Sequence, residues 1–252
     1  VKIHTLVIGA MVGLLSASAA VASSAATLTP AIAAALSDPT RPPKEQALDA
    51  QRRPAEIMGF IDLHAGETIV DVWPGAYWDR LFADVVGPTG QVISWWPVEA
   101  AKAEHVPLPA DGSHPIADHP NLVALSGPVN AFAVPQPVDI VWIRQNYHDL
   151  YDKFMGPADV PGFNKAVFRA LKRGGLYVVI DHSAPDGSGL AATDTTHRID
   201  SAVVKKDMAA AGFDFVGESD VLRNPADARD KVVFEASIRG KTDQFIYVFK
   251  KP

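Results

Sequence analysis

The chain has 252 residues, of which 48 % are hydrophobic and 21 % charged, with a formal net charge of -6 and no cysteine. That length and apolar share suffice for one α/β domain with a substantial core. The acidic balance, with no basic run longer than pairs such as Lys205-Lys206, excludes a nucleic-acid partner bound through a basic face. Without cysteine there is no thiolate nucleophile, no zinc-thiolate site and no iron-sulfur cluster.

In chain order, residues 1–22 read as a secretory signal: Lys2 and His4 precede the uncharged run Leu6 to Leu15 and small residues with Ala-x-Ala steps. The run is too short to span a bilayer comfortably, so after cleavage no stable membrane insertion is expected, and the location is periplasmic or secreted. Residues 23–43, rich in Ala, Thr, Ser and Pro, read as a linker with one short helix around Ala31 to Leu36. Lys44 to Leu63 has helical periodicity interrupted by Pro54, which predicts a kink or two helices. Asp49 and Arg53, four apart, are candidates for a lid or a surface ion pair.

Thr68 to Asp71 is a β-branched first strand, followed by the turn Trp73-Pro74-Gly75 and a helix. Strand, tight turn and helix open an α/β sheet whose crevice receives ligands. Further strands are predicted at Gln91 to Trp96, Asn121 to Leu125 and Val138 to Ile143, the last a continuous apolar run suited to burial on both faces. A helix from Phe163 to Leu171 turns at Arg173-Gly174-Gly175 into a fifth strand, Leu176 to Asp181. A helix from Thr196 to Ala211, stopped by Gly212, precedes the last two strands, Phe213 to Glu218 and Gln244 to Phe249. Val233 to Ile238 reads as a short strand or loop.

The segment Phe168 to His182, FRALKRGGLYVVIDH, resembles the class I S-adenosylmethionine-dependent methyltransferase fold, in which a helix ending LK-x-GG enters an acid-tipped fifth strand. The resemblance covers roughly residues 44 to 252. VDVWPGAYW, QNYHD, DHSAPDGSG with HRID, and RGKTDQFIYVFKKP resemble a group of exported proteins predicted to be methyltransferases of unassigned substrate. The resemblance implies a Rossmann-like, seven-stranded, mostly parallel sheet with helices on both faces and a reversed last strand. It also implies S-adenosylmethionine as cofactor, with Asp71 as the strand-end acid and Gly75, Tyr77, Glu99 and Asn146 around the donor. Of the family's glycines in the first turn only Gly75 is present, and Ala76, Tyr77 and Trp78 follow it. Trp95 and Trp96 stand where an acid for the ribose is expected, and Glu99 is the nearest carboxylate.

Three segments are expected at one sheet edge: Gln145 to Asp149, Asp181-His182, and His197 to Asp200. Tyr147, His148, Asp149, Asp181, His182 and His197 are the candidate catalytic residues, because an imidazole held by a carboxylate is a usable base near neutral pH. His148, Asp149, Asp181, His182, His197 and Asp200 also offer the N and O ligands of a divalent metal such as zinc, manganese or iron, without a tight spacing signature. Arg198 and Asp200 are read as a pair or a helix cap, and Asp186 to Gly189 as a loop able to gate the pocket. Three functions stay open: methyl transfer to a small molecule, a hydrolase, lyase or isomerase on the same scaffold, or a non-enzymatic binder of aromatic ligands among the tryptophans.

Overall fold

The computed structural model describes residues 28–252. The signal-peptide reading lies outside these residues. The 28–43 part of the stretch read as a linker is packed: α1 (Pro30–Ser37) lies against the first long helix, and Ile32 and Ala35 enter the core. The expected 44–63 helix is three short ones, α2 (Pro43–Gln46), α3 (Asp49–Arg52) and α4 (Pro54–Phe60). Pro54 causes the break between α3 and α4, because a residue before proline avoids the helical region, and Arg53 sits at φ 50°. Asp49 and Arg53 do not pair. Asp49 binds Arg41 (2.7 and 2.9 Å) and the Tyr77 hydroxyl (2.7 Å), while Arg53 binds Glu56.

Next come β1 (Thr68–Val72), α5 (Ala76–Val86), β2 (Gln91–Pro97), α6 (Val98–Glu104), β3 (Leu122–Gly127) and β4 (Val138–Arg144). They are followed by α7 (Val160–Ala170), β5 (Leu171–His182), α8 (Thr193–Thr196), α9 (Ser201–Ala211), β6 (Asp214–Ser219) and β7 (Gln244–Lys250). The seven strands form one sheet in the order β3-β2-β1-β4-β5-β7-β6, with β7 alone antiparallel to its neighbours. One face packs Ile32, Met58, Phe82 and Trp142 beneath α1, α4 and α5; the other packs Trp95, Phe163, Tyr177 and Met208 beneath α7 and α9. Burial on both faces is why β1 and β4 read as apolar runs. The strand order reverses direction between β1 and β4, and this switch point opens the ligand crevice of such sheets.

Two predicted elements end differently, and a third, Val233 to Ile238, is the loop of its two readings, built of turns. The LKRGG turn belongs to a bulged start of β5, where a Cβ on Gly175 would lie 2.9 Å from the carbonyls of Asp139 and Lys172. The expected 196–211 helix is broken at His197 (φ 54°). There the chain runs straight beside β5, with Ile199 N donating to the His182 carbonyl (3.0 Å) and Ala184 N to that of Ile199 (3.0 Å). Asp200 then caps α9 by accepting from Ala202 N (3.0 Å).

Candidate functional site

A cavity of about 660 Å³ opens over the carboxyl ends of β1, β4 and β5. Its first wall begins where β1 ends. Trp73 takes φ 62°, a conformation that favours glycine, and its indole N–H donates to Glu104 at the end of α6 (2.8 Å). Gly75 follows with extended backbone, and a Cβ placed there would meet nothing within 4 Å. Asp71 and Asp79 are buried side by side. Burial, and then Asp79, pushes the Asp71 carboxyl well above the carboxylate range, and burial lifts Asp79 to about 7. Asp79 also accepts from the Ser94 hydroxyl. Both carboxyls thus hold a proton far more readily than a free carboxylate.

Its bases are not neutralised. Arg144, at the tip of β4, is pulled down to about 9 by burial and by the charge of Arg52, and stays charged at neutral pH. The Arg52 guanidinium lies over the Tyr77 ring, 4.3 Å from its centroid. Arg144 Nε, Trp78 Nε1 and Trp142 Nε1 are buried donors with no hydrogen-bond partner, and all three residues line the cavity. Unpaired buried donors are costly, and the rest of the charged Arg144 guanidinium lines the cavity beside them.

The second wall is an imidazole-carboxylate cluster. Gln145 (φ 62°) turns the chain out of β4 into a 3-10 turn, His148–Tyr151. His148 donates from its backbone N (2.8 Å) and from Nδ1 (2.8 Å) to the two oxygens of Asp181. Its Nε2 stands 3.2 Å from Asp149 Oδ1 and 3.3 Å from His197 Nδ1. Burial disfavours the imidazolium, but Asp181 and Asp149 outweigh it and push His148 up to about 10. Burial likewise opposes ionised Asp149, yet hydrogen bonds from His148 and His197 drive its pKa well down. Burial, and then Asp149, lifts Asp152 to about 6, despite the nearby Thr193 hydroxyl. Burial, and then the His148 charge, pulls His182 far down, so it is neutral. His182 Nδ1 meets Thr242 Oγ1 at 2.7 Å.

Of the expected catalytic residues, His148, Asp149, His182 and His197 converge on the cavity, and Asp181 supports them from behind. Tyr147 is buried away from it, accepting from Asn164 (2.8 Å) and donating to Asp207 (3.0 Å), because the Gln145 turn points it under α7 and α9. Of the expected donor residues, Asp71, Gly75 and Asn146 line the cavity. Tyr77 turns away to Asp49, and Glu99 faces the opposite direction, accepting from Val129 N (3.1 Å). Glu104 is the carboxylate of α6 that reaches the cavity. Asp200 and Arg198 do not join the cluster. Asp200 accepts from Gly187 N (2.8 Å) and Gly189 N (3.2 Å), which ties the 186–189 loop down, and Arg198 pairs with buried Asp227 (2.9 Å). Sequence reasoning missed Arg144, Asp152 and Thr242. Arg144 was findable as the first charge after the apolar run of β4; Asp152 carries no signal without its 3-10 turn.

No protein-family model and no curated protein sequence matches the chain. Solved structures do. A S-adenosylmethionine-dependent methyltransferase from Aquifex aeolicus superposes with a TM-score of 0.51 at 16 % identity, over 83 % of this chain and 94 % of that one. The [4+2]-cyclase SpnF superposes with a TM-score of 0.53 at 14 % identity, over 81 % of each chain. At such identities the likeness is one of fold alone. Strand order, the single reversed strand and these superpositions together give the chain the class I S-adenosylmethionine-dependent methyltransferase fold.

Proposed function

We propose that the protein is a S-adenosylmethionine-dependent methyltransferase acting on a hydroxyl-bearing small molecule, exported as its N-terminal sequence reads. The observation that carries this is the single cavity joining the open turn at Gly75 to two imidazoles, His182 and His197. The residues present fit the donor. Gly75 leaves room for close backbone approach, and Trp73 and Trp96 offer flat apolar surface to a purine. The charged Arg144 guanidinium lines the cavity and suits an amino-acid carboxylate. About 660 Å³ is within the range that holds a small-molecule ligand.

An electrophilic methyl group is what the donor supplies when bound; the chain's residues align the acceptor oxygen and remove its proton. His148 is already protonated and cannot serve as the base. His197 presents its Nε2 edge while Nδ1 faces Asp149 (3.4 Å), and His182 is a neutral imidazole oriented by Thr242. Phe234, 58 % exposed, packs on the His197 ring (4.9 Å) and roofs that end of the cavity.

Titration calorimetry with S-adenosylmethionine tests this reading. One donor per chain is expected, with affinity lost in Arg144→Met; absence of heat at millimolar donor removes the proposal. The paired Asp71 and Asp79 carboxyls favour a second reading, an enzyme that does not methylate, since Asp71 is engaged by Asp79. The cyclase among the similar structures has the same fold. Reactivity of the cavity without any bound donor distinguishes the two.

A further inference from the structure

We infer that the second wall is a divalent transition-metal site, with His148 Nε2, Asp149 Oδ1, His197 Nδ1 and Asp152 as ligands. These groups each offer one atom, and the four atoms lie within 4.8 Å of one another. The separations among His148 Nε2, Asp149 Oδ1 and His197 Nδ1 are 3.2, 3.3 and 3.4 Å. Zinc bonds to nitrogen and oxygen of about 2.0–2.1 Å in a tetrahedron give ligand-ligand edges of roughly 3.3–3.4 Å. The cluster therefore needs little rearrangement to close on such an ion.

Asp152 supplies an independent sign. It is 1 % exposed, and neither of its carboxylate oxygens has a hydrogen-bond partner. The nearby Thr193 hydroxyl donates to the Leu190 carbonyl instead (3.3 Å). One Asp152 oxygen points at the cluster, 3.9 Å from His197 Nδ1. A buried carboxylate without a donor is expensive, and a cation is what satisfies it.

The surrounding bonds orient the ligand atoms. Asp181 takes the hydrogen of His148 Nδ1, which leaves Nε2 for the ion, the carboxylate–histidine arrangement common behind metal ligands. Asn146 Nδ2 donates to Asp149 Oδ2 (2.9 Å), which leaves Oδ1 free. Two imidazoles with two carboxylates suit zinc among the common divalent ions. The ion would replace the proton that now sits between His148 and Asp149, and would pin the 148–152 turn to the residue that follows α8. With His197 Nδ1 coordinated, its Nε2 carries hydrogen, and His182 becomes the neutral imidazole left to accept a proton. The inference rests on the cluster alone and does not require donor binding.

The test is titration of the chelator-treated full chain with Zn²⁺, together with the visible spectrum of the Co²⁺ form. One ion per chain is expected, with submicromolar affinity and the intense bands of tetrahedral cobalt. Asp152→Asn and His148→Ala should abolish or strongly weaken binding, Asp181→Asn should weaken it by about 10–100-fold, and His64→Ala, on the surface, should not change it. Sub-stoichiometric binding, weak octahedral-type cobalt bands, or affinity unchanged in Asp152→Asn and His148→Ala would each overturn the inference. The cobalt spectrum of the unmodified chain decides even if a variant fails to fold. Donor titration of loaded and stripped protein separates this outcome from the methyltransferase reading.

Discussion

The two walls of the cavity are built from similar residue types and treat charge in opposite ways. Beside β1, two carboxyls are buried together and share protons, while Arg144 and two indoles keep donors unpaired. Beside β4 and β5, an imidazolium is bracketed by Asp181 and Asp149, and the polar atoms left without a partner are the acceptor oxygens of Asp152, not donors. A wall with a charged arginine and protonated neighbouring acids suits an anionic ligand group. A wall whose carboxylates outnumber their donors is prepared to hold an ion or a proton in place. Burial is common to both; what differs is whether a counter-charge stands within hydrogen-bond reach.

The largest test of this contrast is Asp181→Ala. It strips both donors of His148 and the His182 backbone N of their common acceptor, and leaves a buried imidazolium with Asp149 alone. A loss of about 3–5 kcal/mol is expected in urea unfolding. A loss below about 1 kcal/mol would mean that the bracket is dispensable.

A smaller effect should appear in the pH dependence of the chelator-treated chain. Asp79 is raised from 3.8 to about 7, so the folded state keeps a proton that the unfolded chain releases, and stability falls as pH climbs through that window. His148 is raised from 6.5 to about 10, so its contribution is full below 6.5 and disappears as pH rises through about 10. The unfolding midpoint should thus decline in two limbs. Asp79→Asn should make the lower limb shallower, with Asp71 and Asp152 supplying the remainder, and His148→Gln should flatten the upper one; a single limb would show that the walls titrate together.

The smallest expected change in stability belongs to Gly75→Ala. Its backbone is extended and its surroundings open, so the fold should shift by no more than about 0.5 kcal/mol. The added methyl occupies the receiving turn, so calorimetry should show weaker binding of the methyl donor. Unchanged affinity would move the donor away from this turn.

Much of the fold was legible because apolar runs bounded by glycine turns specify strands covered on both faces, as in β1, β4 and β5. The strand-end acids and histidines were legible because the carboxyl edge of such a sheet gathers them. What escaped depends on backbone turns rather than on residue type. Three non-glycine residues with positive φ, Trp73, Gln145 and His197, decide which side chains enter the cavity. Gln145 sends Tyr147 under α7 and brings His148 and Asp149 inward; nothing in QNYHD distinguishes those directions. Glu99 and Glu104 lie on the same short helix, and only its placement tells which one reaches the cavity.

The reversed seventh strand has a consequence for how the cavity can vary. Because β7 runs opposite to its neighbours, its beginning lies beside the ends of the others. Thr242 there reaches His182, and Gln244 accepts from Gln145 Nε2 (2.9 Å). The long segment between β6 and β7 delivers these contacts, along with Phe234. On the methyltransferase reading, changes in that segment would reshape the His182 end of the cavity while the Asp71–Gly75 turn, far earlier in the chain, keeps its sequence.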